Sequence, residues 1–178
     1  MGNPAVLEKT EILLSATQIQ ERIQELSKEI DQEYQGKEVV AICVLKGGVV
    51  FFVDMIRQMQ TPVRCEFLSL SSYGDEKKSS GEVKLNLDVK FPLEGKHVII
   101  FEDIVDSGLT LQYLKKLLNA RSPASLKICS LLFKPECLKV DVKPDYLGFE
   151  IANHFVVGYG LDYAGLYRDL PYVGILNE

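Results

Sequence analysis

Apolar positions along the chain recur with two different periods. Near the start they fall three or four residues apart, which is the spacing of one helix face. These positions are Ile19, Ile23, Leu26 and Ile30. Ser15 or Thr17 can cap this helix at its N-terminus, and Gly36 is a suitable residue to end it. The pattern predicts an outer helix that packs one face on a core.

The rest of the chain alternates short apolar runs with further helical patterns. Continuous apolar runs of this length are typical of buried strands. They lie at 39–45, 63–70, 97–101 and 125–133, with shorter strand-like pieces at 146–151 and 155–157. Helical spacing returns at 49–59 and 111–118, and strict alternation over 83–89 predicts a strand with one exposed face. This order predicts an α/β fold with a mostly parallel twisted sheet flanked by helices on both faces.

Composition is that of an ordinary globular protein. The chain has 178 residues, 47% of them hydrophobic and 25% charged, and a formal net charge of −5. This size suits a single domain, predicted here over residues 1–178. No apolar stretch is long enough to span a bilayer and the N-terminus lacks the layout of a signal peptide, so we predict a cytoplasmic protein. The acidic balance argues against a broad nucleic-acid-binding surface.

Neither the cysteines nor the histidines have the spacing of a metal site. The cysteines are Cys43, Cys65, Cys129 and Cys137. They include no CxxC pair, and we expect buried thiols in a reducing compartment. His97 begins an apolar run and is expected at the edge of a strand.

The segment 98–110, VIIFEDIVDSGLT, carries the most chemical information. An apolar strand ends in an acidic pair, Glu102 and Asp103, and the chain then turns through DSG into a helix. Such a turn presents free backbone NH groups at the positive end of a helix, and Ser107 and Thr110 add hydroxyl groups. The pattern predicts a phosphate-binding turn, although it matches neither GxxxxGK[ST] nor GxGxxG.

The adjacent acids need a specific role beside a phosphate, because they would otherwise repel it. Carboxylates can accept hydrogen bonds from a vicinal diol such as ribose, or hold a Mg²⁺ ion that the phosphates share. From the spacing alone, Glu102 and Asp103 are equally consistent with a solvated turn.

The run EDIVDSGLT at 102–110 resembles the signature of the type I phosphoribosyltransferases, which bind 5-phosphoribosyl 1-diphosphate. Four further motifs are similar, in the same order, to those of the hypoxanthine (hypoxanthine-guanine) phosphoribosyltransferases. They are VLKGG at 44–48, SSYG at 71–74, LLFK at 131–134 and FVVGYGLDYAGLYRDLPYVGIL at 155–176. The resemblance implies the fold of that family, with a small hood built from N- and C-terminal segments at about 1–14 and 145–178.

The resemblance also implies roles on the phosphate side of the site. Asp106 is the catalytic residue, acting as general base toward purine N7 or hydrogen-bonding it. Lys46 and Gly47 match the diphosphate loop of the family, which contains a non-proline cis peptide. The residues implied for the ribosyl diphosphate are Lys46, Gly47, Glu102, Asp103, Asp106, Ser107, Gly108, Leu109, Thr110 and Arg168. Without the resemblance, Lys46 is more typical of a solvated turn.

A second set of implied roles concerns the purine and the cofactor Mg²⁺. Phe155 stacks on the base, the Val156 carbonyl accepts from the 2-amino group of guanine, and Lys134 donates to O6. Asp162 belongs to the purine-binding set as well as to the metal ligands. The implied Mg²⁺ ligands are Glu102, Asp103 and Asp162. Taken alone, Phe155 is more typical of a core position, and Lys134 equally typical of a lysine at a sheet edge.

The loop 71–81 is polar and contains Gly and Ser, as a flexible lid would. In the family its Ser-Tyr pair, here Ser72 and Tyr73, closes over the reacting groups and excludes water. An ordinary mobile hairpin is equally consistent with these residues alone.

These features predict an enzyme of purine salvage. It transfers the 5-phosphoribosyl group from 5-phosphoribosyl 1-diphosphate to N9 of hypoxanthine, and of guanine. The expected partners are these small-molecule substrates, with no nucleic acid and no membrane, and the family implies a homodimer or homotetramer. Two alternatives stay open: a preference for xanthine, and a nucleotide-sensing RNA-binding regulator on the same fold, which the lack of a long basic cluster disfavours.

Overall fold

Strands and helices alternate along most of the chain. The computed structural model describes residues 10–72 and 83–176, without the side chains of 71, 72, 83 and 84. The strands are β1 (Thr10–Leu14), β2 (Val39–Leu45), β3 (Val63–Ser72), β4 (Val83–Leu87), β5 (His97–Val105), β6 (Ser125–Phe133), β7 (Tyr146–Glu150), β8 (Val156–Val157) and β9 (Val173–Leu176). The α-helices are α1 (Ala16–Glu33), α2 (Val49–Gln58) and α3 (Leu109–Asn119). Within these described ranges, no helix is long and apolar enough to cross a membrane.

A six-stranded sheet with the strand order β4-β3-β2-β5-β6-β7 forms the centre of the fold. Five neighbouring strands are parallel, namely β3, β2, β5, β6 and β7. The sixth, β4, pairs antiparallel with β3 at one edge. The carboxyl ends of β2, β5 and β6 therefore lie side by side at one edge of the sheet. The predicted α/β fold with a mostly parallel sheet is confirmed.

Helices cover both faces of this sheet. Helices α1 and α2 pack on one face, where Ile23, Phe52 and Phe101 are buried together. Helix α3 packs on the other face, where Leu114 and Ile100 are buried. Strand β2 is buried along both faces, which is why its sequence is a continuous apolar run.

The first helix begins where one of the two predicted caps occurs. The Ser15 hydroxyl accepts from the backbone NH of Gln18 at 3.3 Å, and the Gln18 side chain accepts from the Ser15 NH at 2.9 Å. This reciprocal capping satisfies two backbone donors that the helix leaves unpaired. The helix ends at Glu33, and Gly36, with a φ of +73°, lies in the turn that follows.

A second, three-stranded antiparallel sheet in the order β1-β9-β8 joins both ends of the described chain. It is the small hood of the predicted fold class. Strand β7 pairs with β6 in the large sheet, so the C-terminal contribution to the small sheet begins at Val156. The domain boundaries proposed from the sequence stay a prediction.

Several predicted strand boundaries are wrong, among them the ends of β5 and β4. Strand β5 continues past Phe101 to Val105, because β6 pairs with it as far as Phe133. The strand predicted over 83–89 ends at Leu87, since an irregular register between Ser69 and Leu70 breaks the alternation. Leu87 is consequently exposed.

The prediction of four buried thiols is also wrong in part. Cys43 and Cys129 are buried, whereas Cys65 is exposed and Cys137 is half-buried. Cys65 and Phe67 lie on the same face of β3, near the edge of the sheet, and both are exposed because α1 and α2 leave this end of the face partly uncovered. All four cysteines are free.

Candidate active site

A cavity of about 360 Å³ lies at the carboxyl edge of the large sheet, against the small sheet. Most of the predicted site residues line it. They are Gly47, Glu102, Asp103, Asp106, Lys134, Phe155, Val156, Asp162 and Arg168. The fold therefore brings together residues at the carboxyl ends of β2, β5 and β6 and in the C-terminal segment, at the edge where a parallel sheet binds ligands.

A smaller cavity of about 90 Å³ lies at the N-terminus of α3. Asp106, Ser107, Gly108 and Thr110 line it, as the predicted phosphate-binding turn requires. Gly108 caps the helix with a φ of +77°, a conformation that glycine adopts without steric cost. The cavity lies at the positive end of the helix dipole, which favours an anion.

Two residues predicted for the ribosyl diphosphate lie outside both cavity linings. Lys46 is exposed on the turn between Leu45 and Gly47, both of which line the larger cavity. Leu109 is the first residue of α3 and its side chain is 38% exposed. Any contribution of Leu109 would come from its backbone. For the predicted lid, Tyr73 and the side chain of Ser72 lie outside the described residues.

The acidic pair lies inside β5 rather than at a strand end, because β5 extends beyond it. Glu102 and Asp103 are almost fully buried. Burial and the neighbouring Asp103 raise the pKa of Glu102 well above its ordinary value. Burial also raises the pKa of Asp103, against hydrogen bonds from Glu102 and Ile104 and the positive charge of Arg168. The pair is thus electrostatically costly when no cation is near it.

Glu102 also has an oxygen without a partner. Among the described residues, its Oε2 atom is one of two buried side-chain polar atoms that make no hydrogen bond. A buried acceptor left unpaired is unusual in folded proteins and requires an explanation. A cation or a donor group of a ligand would satisfy this oxygen.

The turn after β2 packs tightly against the acidic pair. The Leu45–Lys46 peptide bond is cis, as the resemblance implied for this loop. A Cβ atom added to Gly47 would lie 1.6 Å from Oδ2 of Asp103, so no larger residue fits there without displacing the carboxylate. A Cβ on Gly160 would in turn lie 2.1 Å from the Gly47 carbonyl oxygen. Gly47 is therefore enclosed between Asp103 and the C-terminal segment.

Arg168 is held by that C-terminal segment. Its Nη1 atom donates to the Gly160 carbonyl at 2.5 Å, and its Nη2 atom pairs with Oδ1 of Asp162 at 2.5 Å. The other Asp162 oxygen accepts from the Gly165 backbone NH at 2.8 Å. These contacts fix the direction of the guanidinium group beside the cavity.

The predicted base-binding lysine lies next to the predicted catalytic acid. Nζ of Lys134 is 3.6 Å from Oδ2 of Asp106. Lys134 is buried, whereas the Asp106 side chain is 54% exposed on the turn after β5. One positive and one negative group thus meet at the end of the sheet, where a purine could contact both.

The aromatic residue predicted to stack on the base is exposed rather than part of the core. Phe155 contacts Tyr163 edge to face, with 5.7 Å between the ring centroids. Both rings are more than half exposed. Val156, in contrast, is buried and pairs with Ile175.

Several apolar lining residues and one neighbouring ring were not predicted as site residues. Ile104 lines both cavities, and Leu161 lines the larger one. The position of Ile104 between the acidic pair and Asp106 is the one sequence feature that could have indicated it. Nothing in the sequence distinguishes Leu161 or Tyr163 from ordinary apolar positions.

The metal prediction finds partial support in the geometry. In residues 10–72 and 83–176, no group of three or more His, Cys, Asp or Glu side chains is arranged to hold a metal ion. Mg²⁺, however, often takes only one or two carboxylates and completes its shell with water and substrate phosphates. The two buried acids, one with an unpaired oxygen, fit such an ion.

Comparison with known proteins defines the family. Residues 9–164 match the family model described as phosphoribosyl transferase domain. The chain is 48% identical over 166 residues to the hypoxanthine-guanine phosphoribosyltransferase of Bacillus subtilis, covering 93% of this chain and 92% of that one. It is 48% identical over 172 residues to the enzyme of the same name from Dictyostelium discoideum, covering 94% and 96%. The crystal structure of a Staphylococcus aureus hypoxanthine phosphoribosyltransferase matches with a TM-score of 0.94 at 40% identity, covering 99% and 96%.

The chain therefore belongs to the phosphoribosyltransferase family and has its type I fold. Its relatives at this level of identity are hypoxanthine-guanine phosphoribosyltransferases, so the chain is an enzyme of the transferase class. The resemblance seen in the sequence motifs is confirmed.

Proposed function

We propose that this protein transfers the 5-phosphoribosyl group from 5-phosphoribosyl 1-diphosphate to N9 of hypoxanthine, and of guanine, in purine salvage. The observation that carries the proposal is a single cavity lined both by the buried acidic pair and by Lys134 and Phe155. One wall suits a diphosphate sugar and the other a 6-oxopurine. The relatives named for this reaction support the same substrates.

The 5-phosphate fits the smaller cavity at the start of α3. Backbone NH groups at this helix end have no intrahelical acceptor, and Ser107 and Thr110 supply hydroxyl groups beside them. The ribose hydroxyls would donate to Glu102 and Asp103. Arg168 suits the diphosphate because its planar guanidinium pairs with two phosphate oxygens at once.

Asp106 is proposed as the proton acceptor of the reaction. The C1′–oxygen bond to diphosphate breaks and its electron pair leaves with the diphosphate, while the N9 lone pair forms the new bond to C1′. Hypoxanthine gives up one proton, which Asp106 accepts from N7. Its carboxylate lies on the turn between the phosphate cavity and Lys134, so it can reach a base held by that lysine.

Lys134 is proposed to select 6-oxopurines. Its ammonium group can only donate hydrogen bonds, so it suits the O6 acceptor of hypoxanthine and guanine. Adenine presents an amino group at that position, and two donors facing each other would leave a buried ammonium hydrogen without an acceptor. Phe155 would stack on the base, and the Val156 carbonyl would accept from the 2-amino group of guanine.

Mg²⁺ is the proposed cofactor. Glu102 and Asp103 would hold one ion, which would give the unpaired Glu102 oxygen a partner and offset the repulsion within the pair. The role of Asp162 as a ligand is supported by the sequence resemblance alone, since Arg168 and Gly165 already bond it. When bound, Mg²⁺ would neutralise charge on the departing diphosphate.

A homodimer or homotetramer and a cytoplasmic location complete the proposal. Val53 on α2 and Phe67 on β3 are both 39% exposed, which supports an interface at this end of the sheet. The four free thiols support a reducing compartment. Sedimentation at micromolar concentration tests the assembly, and a monomer would contradict it.

The activity itself has a direct assay. Purified protein with Mg²⁺, 5-phosphoribosyl 1-diphosphate and hypoxanthine should form IMP and diphosphate in equal amounts, and no IMP above the blank would contradict the proposal. Competition of hypoxanthine, guanine, xanthine and adenine in one mixture tests the base. Hypoxanthine and guanine should be consumed first, whereas prior consumption of xanthine would favour the xanthine alternative.

A further inference from the structure

A buried hydroxyl group outside the cavity connects the C-terminal segment to two helices. Tyr159 is 3% exposed and does not line the cavity. Its hydroxyl donates to Oδ2 of Asp54 at 2.5 Å. Nε2 of Gln20 donates to the same oxygen at 2.9 Å and to the Tyr159 hydroxyl at 3.3 Å. Since Gln20 belongs to α1 and Asp54 to α2, this one hydroxyl attaches the segment around Tyr159 to both helices.

The hydroxyl remains a donor at neutral pH. Burial, and then the hydrogen bond to Asp54, raise the pKa of Tyr159 above its ordinary value. A protonated phenol that donates to a carboxylate makes a charge-assisted hydrogen bond, which is stronger than one between neutral groups. The contact between Tyr159 and Asp54 therefore attaches this turn to α2 through a charge-assisted hydrogen bond.

The backbone at Tyr159 needs such an attachment. Gly158, Tyr159 and Gly160 have consecutive positive φ angles of 95°, 50° and 100°. Glycine adopts this region freely, but an aromatic residue does so only where its surroundings hold it there. The Tyr159 backbone NH also donates to the Leu170 carbonyl at 2.9 Å, so both ends of the residue are bonded.

The turn at 158–160 touches Arg168, which the proposed function assigns to the diphosphate, and Gly47, to which the sequence resemblance assigns the same role. Gly160 lies so close to Gly47 that a Cβ on it would be 2.1 Å from the Gly47 carbonyl oxygen. The Gly160 carbonyl accepts from Nη1 of Arg168, and its NH donates to the Arg168 carbonyl at 3.0 Å. A shift of this turn would therefore move Arg168 relative to Gly47.

We infer that Tyr159 is a positioning residue for diphosphate binding, which acts with Asp54 to set the placement of Arg168 against the loop at Gly47. Helix α2 begins at Val49, directly after that loop, so Asp54 ties the turn to the element that carries Gly47. The inference rests on the proposed function, because it assumes that Gly47 and Arg168 contact the diphosphate. It adds a residue that makes no contact with substrate.

A matched pair of variants separates positioning from general stability. Tyr159→Phe removes only the hydroxyl. Tyr146→Phe removes a hydroxyl of the same kind: Tyr146 is buried on β7 and donates to Oε2 of Glu33 at 2.5 Å, and neither residue lines a site cavity. Both changes delete one phenol–carboxylate hydrogen bond, but only the first is connected to Arg168.

The readouts are the Kd of 5-phosphoribosyl 1-diphosphate in Mg²⁺ by calorimetry, the KM for hypoxanthine and the thermal unfolding midpoint. Tyr159→Phe should weaken diphosphate-sugar binding by about tenfold, the factor expected for one hydrogen bond to a charged group. The KM for hypoxanthine should change by less than about twofold, the size of ordinary context effects. Tyr146→Phe should lower the unfolding midpoint while leaving the Kd within about twofold of wild type.

Variants of the acceptor test the same connection from the other side. Asp54→Asn keeps an acceptor oxygen for the tyrosine and should bind the diphosphate sugar within about threefold of wild type. Asp54→Ala removes the acceptor and should reproduce the loss seen in Tyr159→Phe. The double variant of Tyr159→Phe with Asp54→Ala should be no weaker than either single variant, because both remove one shared contact.

Three results would contradict parts of this account, each in a distinguishable way. If wild type binds the diphosphate sugar and Tyr159→Phe binds it equally well, the inference is wrong while the proposed function stands. If both tyrosine variants lose binding equally, the role of Tyr159 is only general stability and the inference is again wrong. If wild type does not bind the diphosphate sugar at all, the proposed function itself is wrong.

Discussion

The two halves of the cavity differ in how far the protein itself covers them. On the diphosphate-sugar side, Glu102 and Asp103 are 8% and 9% exposed, and Gly47 is enclosed between Asp103 and Gly160. On the base side, Phe155 and Tyr163 are 56% and 53% exposed and contact each other edge to face. The first half is built from the packed carboxyl ends of inner strands, whereas the second combines the buried Lys134 and Val156 with a segment that carries exposed rings.

This difference indicates that the halves become ordered at different times. Groups fixed by neighbouring backbone are already in place when a ligand arrives, so little further ordering is needed to bind it. Exposed aromatic faces gain burial only when a ligand covers them. We therefore interpret the diphosphate-sugar half as formed in the free protein and the base half as completed by the base.

The largest effect is expected at Asp106, where the two halves meet. Asp106→Asn keeps the shape of the side chain but cannot accept the purine proton, so kcat should fall by about 10²–10⁴-fold. The Kd of the diphosphate sugar should stay within about threefold, because the phosphate turn is unchanged. Steady-state kinetics and calorimetry measure the two quantities. Asp141→Asn, at an exposed position outside both cavity linings, is the control. Equal losses of kcat and of diphosphate-sugar binding in Asp106→Asn would contradict the role of Asp106 as proton acceptor.

A steric clash in the diphosphate-sugar half should have the next largest effect. Gly47→Ala places a Cβ 1.6 Å from Oδ2 of Asp103, so the carboxylate or the loop must move. Displacement of about 1 Å at a reacting site costs about 100-fold, and we expect that loss in kcat/KM for the diphosphate sugar. Gly95→Ala adds a methyl group that meets no atom within 4 Å, at a position outside both cavity linings, and is the control for the added methyl; its positive φ adds backbone strain that Gly47 does not have. A loss of kcat/KM of the same size in both variants would show that close packing at Gly47 is not the cause.

Loss of the Phe155 ring should weaken binding in the base half. Phe155→Ala removes the proposed stacking surface, and the KM for hypoxanthine should rise about tenfold, within the range measured for aromatic stacking on bases. Binding of the diphosphate sugar should not change, since that half does not depend on the ring. A parallel loss of diphosphate-sugar affinity would show that the two halves are not separable.

The smallest expected effect is a pH dependence of stability from the buried acids. Because the pKa of Glu102 is raised, the folded protein keeps a proton that the unfolded chain releases above about pH 4.3. The contribution of Glu102 to the free energy of unfolding therefore falls as the pH rises from there through the raised pKa of the folded state. Glu102→Gln does not titrate, so between about pH 5 and about pH 8 the wild-type unfolding midpoint should fall relative to the variant by a few degrees. Thermal scans in metal-free buffer measure this, with Glu94→Gln, an exposed site, as the control. A difference that stays constant with pH would contradict a raised pKa.

The sequence was sufficient for the parts of this account that depend on local pattern. The apolar run of β2, the cap at Ser15 and the turn from Asp106 to Thr110 each combine neighbouring residues into a recognisable signal. The turn into α3 was accordingly predicted in the right place, while its binding of a phosphate stays a prediction. The domain boundaries and the roles of single residues, in contrast, stay predictions.

Long-range packing explains what the sequence did not reveal. Strand β5 continues through the acidic pair because β6 pairs with it as far as Val105 and Phe133. The burial of Glu102 and Asp103 therefore could not be predicted from the residues next to them in the sequence. The enclosure of Gly47 by Gly160 likewise joins distant parts of the chain. The exposed ring of Phe155 lies in an apolar run that is typical of a core, and only the fold shows that it is not covered.

Separate titrations of the free protein with each substrate test the central claim most directly. Calorimetry with 5-phosphoribosyl 1-diphosphate and Mg²⁺ should show binding without any purine present, because that half of the cavity is already formed. Hypoxanthine alone should bind at least about tenfold more weakly than it does once the diphosphate sugar is bound. The reason is that the base half of the cavity is completed only when both substrates occupy it. Either equal affinity for hypoxanthine with and without the diphosphate sugar, or no binding of the diphosphate sugar alone, would contradict the account.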